Sequence, residues 1–262
     1  MISLILAAAL TLPPQKTHAV FGVSAMDLDT GRTVSVRGNQ RFPMASVFKF
    51  PIALSVIRHV PLDEPVTIEP QDFSLGWSPL RDAAKGQPLH MTTGELLASM
   101  LRDSDNTAGD YFIRRIGPKT ITRETNVRGI RIDRTEKAII LDIRRDGVPR
   151  FHADPRDTST PNAMVALLAR FARKPDPRLM QLMLDSTTGA RRLKSIVPPG
   201  ATLAHKTGTM PGVLNDVGIL TFPNGQRIAI AVFSTKRPEN EPDEDAEDDL
   251  AAIANAAIAK LR

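Results

Sequence analysis

Period-two alternation of apolar and polar residues is confined to the two ends of this chain, and that restricts its fold more than any other feature. Near the start, Phe21–Asp29 and Thr33–Arg37 alternate around Thr30-Gly31-Arg32, which reads as a β-hairpin. Far downstream, Val217–Phe222 and Arg227–Thr235 flank Pro223-Asn224-Gly225, a second hairpin, and Leu203–Thr209 supplies a further strand. The segments between them have helical spacing: Ser46–Val60, Thr93–Leu101, Ala108–Ile116 and Pro161–Ala172. Thr92-Thr93-Gly94-Glu95 is a capping-box pattern that opens the second of these. Glu247–Leu261 reads as a closing helix, with the acids of Asp243–Asp249 at its positive end. Strands must lie side by side, so the two ends have to meet. The expectation is one sheet built from both ends, a helical insertion, and a cleft between the two parts.

Composition narrows the function classes. With 262 residues and 42% hydrophobic side chains the chain can bury a sizeable core. The absence of Cys removes disulfides, thiolate catalysis and Cys-ligated metals. No apolar run reaches the roughly 18–20 residues that a spanning helix needs. The net charge of +5 comes from scattered Lys and Arg, with one Trp and one Tyr in the whole chain, which argues against nucleic-acid binding. Eight acids lie between Glu239 and Asp249 with no Lys or Arg among them, so the rest of the chain is more basic than the total. Residues 2–12 (ISLILAAALTL) are apolar and precede Pro13-Pro14, like the core of an export signal. Ala7-Ala8-Ala9 or Thr17-His18-Ala19 would be the cleavage site. No Lys or Arg precedes the stretch, and a docked N-terminal helix or strand is the alternative.

Three short motifs carry chemistry only together. Ser46-Val47-Phe48-Lys49 sets a hydroxyl and an amine three residues apart at a helix start, where a base can activate the serine and a backbone N–H can meet an oxyanion. Alone, this pattern arises by chance in such a chain. Ser104-Asp105-Asn106 falls in a loop between two helices; it offers a second hydroxyl for proton delivery and an amide for substrate, or is an ordinary turn. Lys206-Thr207-Gly208-Thr209 lies on a strand, where Lys206 supplies positive charge and Gly208 allows close approach of a ligand, or where the lysine is merely exposed. Chance copies of all three in one chain are improbable, and the expected fold would bring all three to one cleft.

This motif set is the signature of class A β-lactamases and penicillin-binding proteins, and from about Phe21 to Arg262 the chain resembles a class A serine β-lactamase. Phe48-Lys49-Phe50-Pro51, Trp77-Ser78-Pro79, Thr187-Thr188-Gly189 and Asn215-Asp216-Val217-Gly218 extend the resemblance. It implies an α+β fold, an α/β-α sandwich: an antiparallel five-stranded sheet with flanking helices from residues 20–45 and 190–262, and an inserted all-α part from 46–189. It implies Ser46 as nucleophile with Lys49 in proton transfer. Ser104 delivers a proton to the lactam nitrogen, and Asn106 holds the side-chain amide. Lys206, Thr207, Gly208 and Thr209 bind the substrate carboxylate, and the Ser46 and Thr209 N–H groups form the oxyanion hole. Trp77 stands at the cleft mouth, or is a packed loop tryptophan. Where many class A enzymes carry an Arg on the following strand this chain has Val217, and Arg192 is placed to supply that charge, or is a surface arginine. No metal or cofactor is implied, and the expected protein is an exported, periplasmic or secreted monomer acting on a small β-lactam.

Glu136 decides between turnover and trapping. Arg131-Ile132-Asp133-Arg134-Thr135-Glu136 resembles the run ending in the glutamate that activates water for ester hydrolysis, and Asp154–Pro161 resembles the far end of the same loop. An Arg134–Asp157 salt bridge is expected to close it. The intervening stretch is longer than the resemblance leads one to expect, and Glu136-Lys137-Ala138-Ile139-Ile140 stands where the family has Glu-Pro-x-Leu-Asn, so Ile140 replaces an asparagine that helps to hold the hydrolytic water. A penicillin-binding D-alanyl-D-alanine peptidase and a non-turnover β-lactam sensor are therefore the alternative readings.

Overall fold

The computed structural model describes residues 10–262. Its centre is a five-stranded antiparallel sheet ordered β2-β1-β9-β8-β7, formed by β1 (Val20–Asp27), β2 (Thr33–Val36), β7 (Thr202–Met210), β8 (Val213–Thr221) and β9 (Arg227–Thr235). Two small ribbons accompany it: β3 (Phe42–Pro43) with β6 (Thr158–Ser159), and β4 (Pro65–Ile68) with β5 (Leu89–Thr92). The two ends of the chain meet where β1 pairs with β9, from Val20 opposite Thr235 to Asp27 opposite Ile228. Gly31 (φ 74°) and Gly225 (φ 86°) take left-handed conformations at the two expected hairpin turns.

Among the described residues ten helices accompany the sheet: α1 (Lys49–His59), α2 (Pro79–Ala84), α3 (Thr93–Arg102), α4 (Asn106–Ile116), α5 (Pro118–Thr125), α6 (Glu136–Asp146), α7 (Val148–Ala153), α8 (Pro161–Arg173), α9 (Pro177–Leu184) and α10 (Asp243–Ala259). The strand period sorts β9 onto two cores. Ile228, Ile230 and Val232 pack with Leu250 and Ile253 under α10, while Ala229, Ala231 and Phe233 face Phe42, Phe50, Leu167 and the other helices. Although it lies inside the 46–189 segment, α8 packs against β1, β8 and β9. The capping box of α3 forms as expected, with the Thr92 N–H donating to Glu95 Oε2 at 2.7 Å and the Glu95 N–H to Thr92 Oγ1 at 3.2 Å.

The structure corrects three expectations. The last helix begins at Asp243, four residues before Glu247, so Asp243, Glu244 and Asp245 occupy its first turn, where the helix dipole favours them. Ser46 is not on the following α-helix but on a separate 3-10 turn, Ala45–Phe48. The stretch after Glu136 is not an open loop: most of it is the helix pair α6 and α7, hinged at Gly147 (φ 83°). Of the signal-like segment, residues 1–9, with Ala7-Ala8-Ala9, lie outside the described residues. The alternative cleavage site is docked: Asp249, itself buried, accepts hydrogen bonds from the Lys16 N–H (2.7 Å), the Thr17 N–H (2.9 Å) and Thr17 Oγ1 (2.7 Å). Among the described residues no helix is long and apolar enough to cross a membrane.

Candidate active site

Side chains three apart nearly eclipse on a 3-10 turn, so Ser46 and Lys49 meet directly, with Lys49 Nζ donating to Ser46 Oγ at 2.9 Å. Ala45, just before the serine, is held at φ 46°, a left-handed conformation that costs a non-glycine residue on the order of 1 kcal/mol and aims the turn at the cleft. Strand β7 runs against this turn. A side chain at Gly208 would place its Cβ 2.6 Å from the Met44 carbonyl and 3.0 Å from the Val47 nitrogen. The close approach that Gly208 permits is therefore that of the nucleophile turn itself; the sequence had suggested a ligand.

The loop between α3 and α4 enters from the other side. Ser104, also left-handed at φ 61°, accepts at Oγ from Lys206 Nζ at 2.8 Å. Asn106 Oδ1 accepts from Lys49 Nζ at 2.6 Å, and its Nδ2 donates to the Leu75 carbonyl at 2.9 Å. Lys49 Nζ also donates to the Ser104 carbonyl at 2.7 Å. Both lysines are fully buried. Burial, and then the neighbouring Lys49, push the Lys206 ammonium well below the usual lysine range.

Glu136 completes the cluster. Ser46 Oγ donates to its Oε1 at 2.7 Å, Lys49 Nζ lies 3.1 Å from the same oxygen, and Oε2 is buried without a protein partner. What holds it there was not legible in the sequence. Asp110 on α4 accepts from the Glu136 N–H at 2.6 Å and the Lys137 N–H at 3.0 Å, and Ser74 Oγ donates to it at 2.7 Å. Burial raises the Asp110 carboxyl despite these donors. The expected Arg134–Asp157 bridge is present at 2.7 Å, and Arg134 also reaches Asp142 (2.6 Å) and Asp154 (3.2 Å), tying α6 to the loop after α7.

The cleft divides around Ser46 and Thr209. One half, about 490 Å³, is lined by Ser104, Thr188, Arg192 and Thr207. Arg192 is not a surface arginine: it is buried, with Nε to Glu247 at 2.9 Å and Nη2 donating to Thr209 Oγ1 at 2.8 Å. The other half, about 480 Å³, runs along α6 past Ile140. Trp77 borders both halves and is 62% exposed, which excludes a packed loop tryptophan; its Nε1 donates to the Asp103 carbonyl at 2.8 Å. A serine, two lysines, a second serine and a carboxylate thus surround one point, an arrangement suited to acyl transfer followed by water attack.

The description of the beta-lactamase enzyme family matches residues 6–261. The chain belongs to that family. It is 29% identical to Beta-lactamase VEB-1 of Pseudomonas aeruginosa, covering 90% of this chain and 84% of that protein. It is 30% identical to the carbapenem-hydrolyzing beta-lactamase KPC of Klebsiella oxytoca, covering 92% and 83%. Among solved structures, TLA-1 extended spectrum beta-lactamase superposes with a TM-score of 0.82 at 27% identity, covering 94% of each chain. A class A beta-lactamase of Bacteroides cellulosilyticus gives 0.78 at 27% identity, covering 94% and 93%. The α+β fold and the family inferred from the motifs are thus those of its β-lactamase relatives.

Proposed function

We propose that this β-lactamase opens penicillins and cephalosporins through an ester on Ser46 and clears that ester with water activated by Glu136. The observation that carries the reading is Glu136 Oε1 at 2.7 Å from Ser46 Oγ, with Oε2 buried and free for a water. The three N–H bonds of Lys49 point at Ser46 Oγ, the Ser104 carbonyl and Asn106 Oδ1, so in this arrangement the serine proton passes to Glu136. Ser46 Oγ then attacks the lactam carbonyl. β7 is the sheet edge and its Thr207 carbonyl already faces Lys206, so the Thr209 N–H, two residues on, shares the edge toward Ser46 and joins the Ser46 N–H at the oxyanion. As the C–N bond breaks, Ser104 gives its proton to the nitrogen and is resupplied by Lys206. That step leaves Lys206 one proton short; Lys49 gives up a proton to restore it and takes in exchange the first proton from Glu136, 3.1 Å away, so that Glu136 is again a carboxylate and can next deprotonate water for attack on the ester.

Thr207, Thr209 and Arg192 line the half of the cleft that fits the substrate carboxylate, and Lys206 supplies its charge from behind Ser104. Arg192 acts there mostly by orienting Thr209, because its charge is shared with Glu247. The residues after Glu136, which from sequence kept a trapping sensor in view, form a helix held at its start by Asp110 and at Asp142 by Arg134, and this supports turnover. A peptidase reading gains no comparable support. For location, the export reading rests on the signal-like residues 2–12; the docked Lys16 and Thr17 argue against cleavage after Ala19, which would strip Asp249 of three hydrogen bonds. We take the working unit to be a monomer.

The test is a time course with excess benzylpenicillin, following ring opening and intact protein mass together. Product far above one equivalent with little residual adduct is expected; one equivalent and a lasting adduct would establish a trap. Ser46→Ala should form no adduct. Glu136→Gln should accumulate one, and unchanged turnover in that variant would remove Glu136 as the base.

A further inference from the structure

The cavity beside α6 has a pattern that follows from helical geometry. Glu136, Ile140, Ile143 and Arg144 are spaced i, i+4, i+7 and i+8 on one helix and all border the same cavity. The water-activating carboxylate and the pocket wall are therefore one ridge, about 12 Å long at the rise of an α-helix. Ile140 lies so close over Gly76 that a Cβ there would be 2.9 Å from its Cδ1. Met210 and Pro211 of the β7–β8 turn line the facing side.

At the far end the charges are unequal. The acids of α6 are committed elsewhere, Asp142 to Arg134, Arg145 and Arg156, and Asp146 to Arg145. Across the pocket, Arg237 is paired with Asp243 and donates to the carbonyls of Pro238 and Glu241, with only its Nε left unpartnered. Arg144 is exposed, borders the pocket, and has no partner among the described residues. The pocket therefore starts at the reacting centre, continues along an isoleucine wall, and ends at a free guanidinium.

We propose that this half of the cleft selects β-lactams with an extended acylamino side chain, apolar in its middle and ending in a carboxylate that Arg144 binds. The proposal rests on the β-lactamase reading above and specifies its substrate class. Ile140 and Ile143 accept the methylene or aryl portion. An exposed Arg–carboxylate pair adds a preference of about fivefold, and it weakens as salt is raised.

The experiment compares two penicillins that differ only at the chain terminus, a 6-adipoylamino and a 6-hexanoylamino penicillanate. Wild type, Arg144→Ala and Arg144→Glu are assayed at low and high salt, with thermal melts to confirm equal folding. The wild type is expected to favour the adipoyl compound in kcat/KM by about fivefold, mainly through KM, and less at high salt. Arg144→Ala should remove the preference and Arg144→Glu should invert it. If the ester persists, the same ratio is read from acylation rates by mass. Equal rates on the two compounds, or a ratio unmoved by both substitutions, overturn the proposal while leaving the β-lactamase reading intact. Failure to acylate with either compound or with benzylpenicillin overturns both.

Discussion

Lys206 gives the cluster its pH sensitivity. Burial and the adjacent Lys49 work against its charge, while Glu136 and Asp216 work in its favour, and the net effect is a pKa well below that of an ordinary lysine. The folded protein thus binds fewer protons than the unfolded chain between that lowered value and the usual lysine range, so this group adds stability as pH rises through the window. Activity changes in the opposite direction: once neutral, Lys206 can neither attract a carboxylate nor resupply Ser104. We expect the kcat/KM of benzylpenicillin to have an alkaline limb below the normal lysine range. Lys206→Arg, whose charge persists, should move that limb upward. A limb unmoved by the substitution would assign it to another group.

At the scale of elements, α6 is the part whose position matters most, and its two anchors come from other parts of the chain. Asp110→Ala would leave the N–H groups of Glu136 and Lys137 without their acceptor, at a cost of about 1–2 kcal/mol. The expected result is slower deacylation than acylation, read as adduct building up in the steady state, with partial recovery in Asp110→Asn. Arg134→Ala releases Asp142, Asp154 and Asp157 together and should loosen the same helix from its far side. The sequence revealed the sheet strands, α3 and the three motifs because each is local, being either a periodicity or a run of adjacent residues. It did not reveal Asp110, whose partners are 26 and 27 positions away on another helix and leave no local pattern. Resemblance to a loop also masked the apolar spacing of Ile139, Ile140 and Ile143, which is helical. The 3-10 turn at Ser46 was missed for a different reason: a few tight residues look like the first turn of the helix that follows.

At the scale of the molecule, the N-terminal segment is a structural part of the domain. Leu10 and Leu12 pack against the core under α10, and Lys16 and Thr17 satisfy Asp249. A chain starting at Val20 would leave a buried carboxylate without those donors, at a cost of roughly 2–3 kcal/mol. At about 2–4 °C per kcal/mol for a domain of this size, Tm should fall by roughly 4–12 °C. A chain starting at Leu10 is the reference, and equal melting of the two would show that the segment contributes nothing.

The pairing of β1 with β9 has a consequence for how the protein is made. Val20, among the first residues of the sheet to be synthesised, finds its neighbour in Thr235, and every sheet contact of β1 except the short β2 hairpin waits for that late strand. Closing so long a loop is slow, and the interim state leaves apolar strand edges uncovered. The nascent chain therefore stays without a finished sheet through most of translation, a state that crowded refolding from denaturant punishes with aggregation.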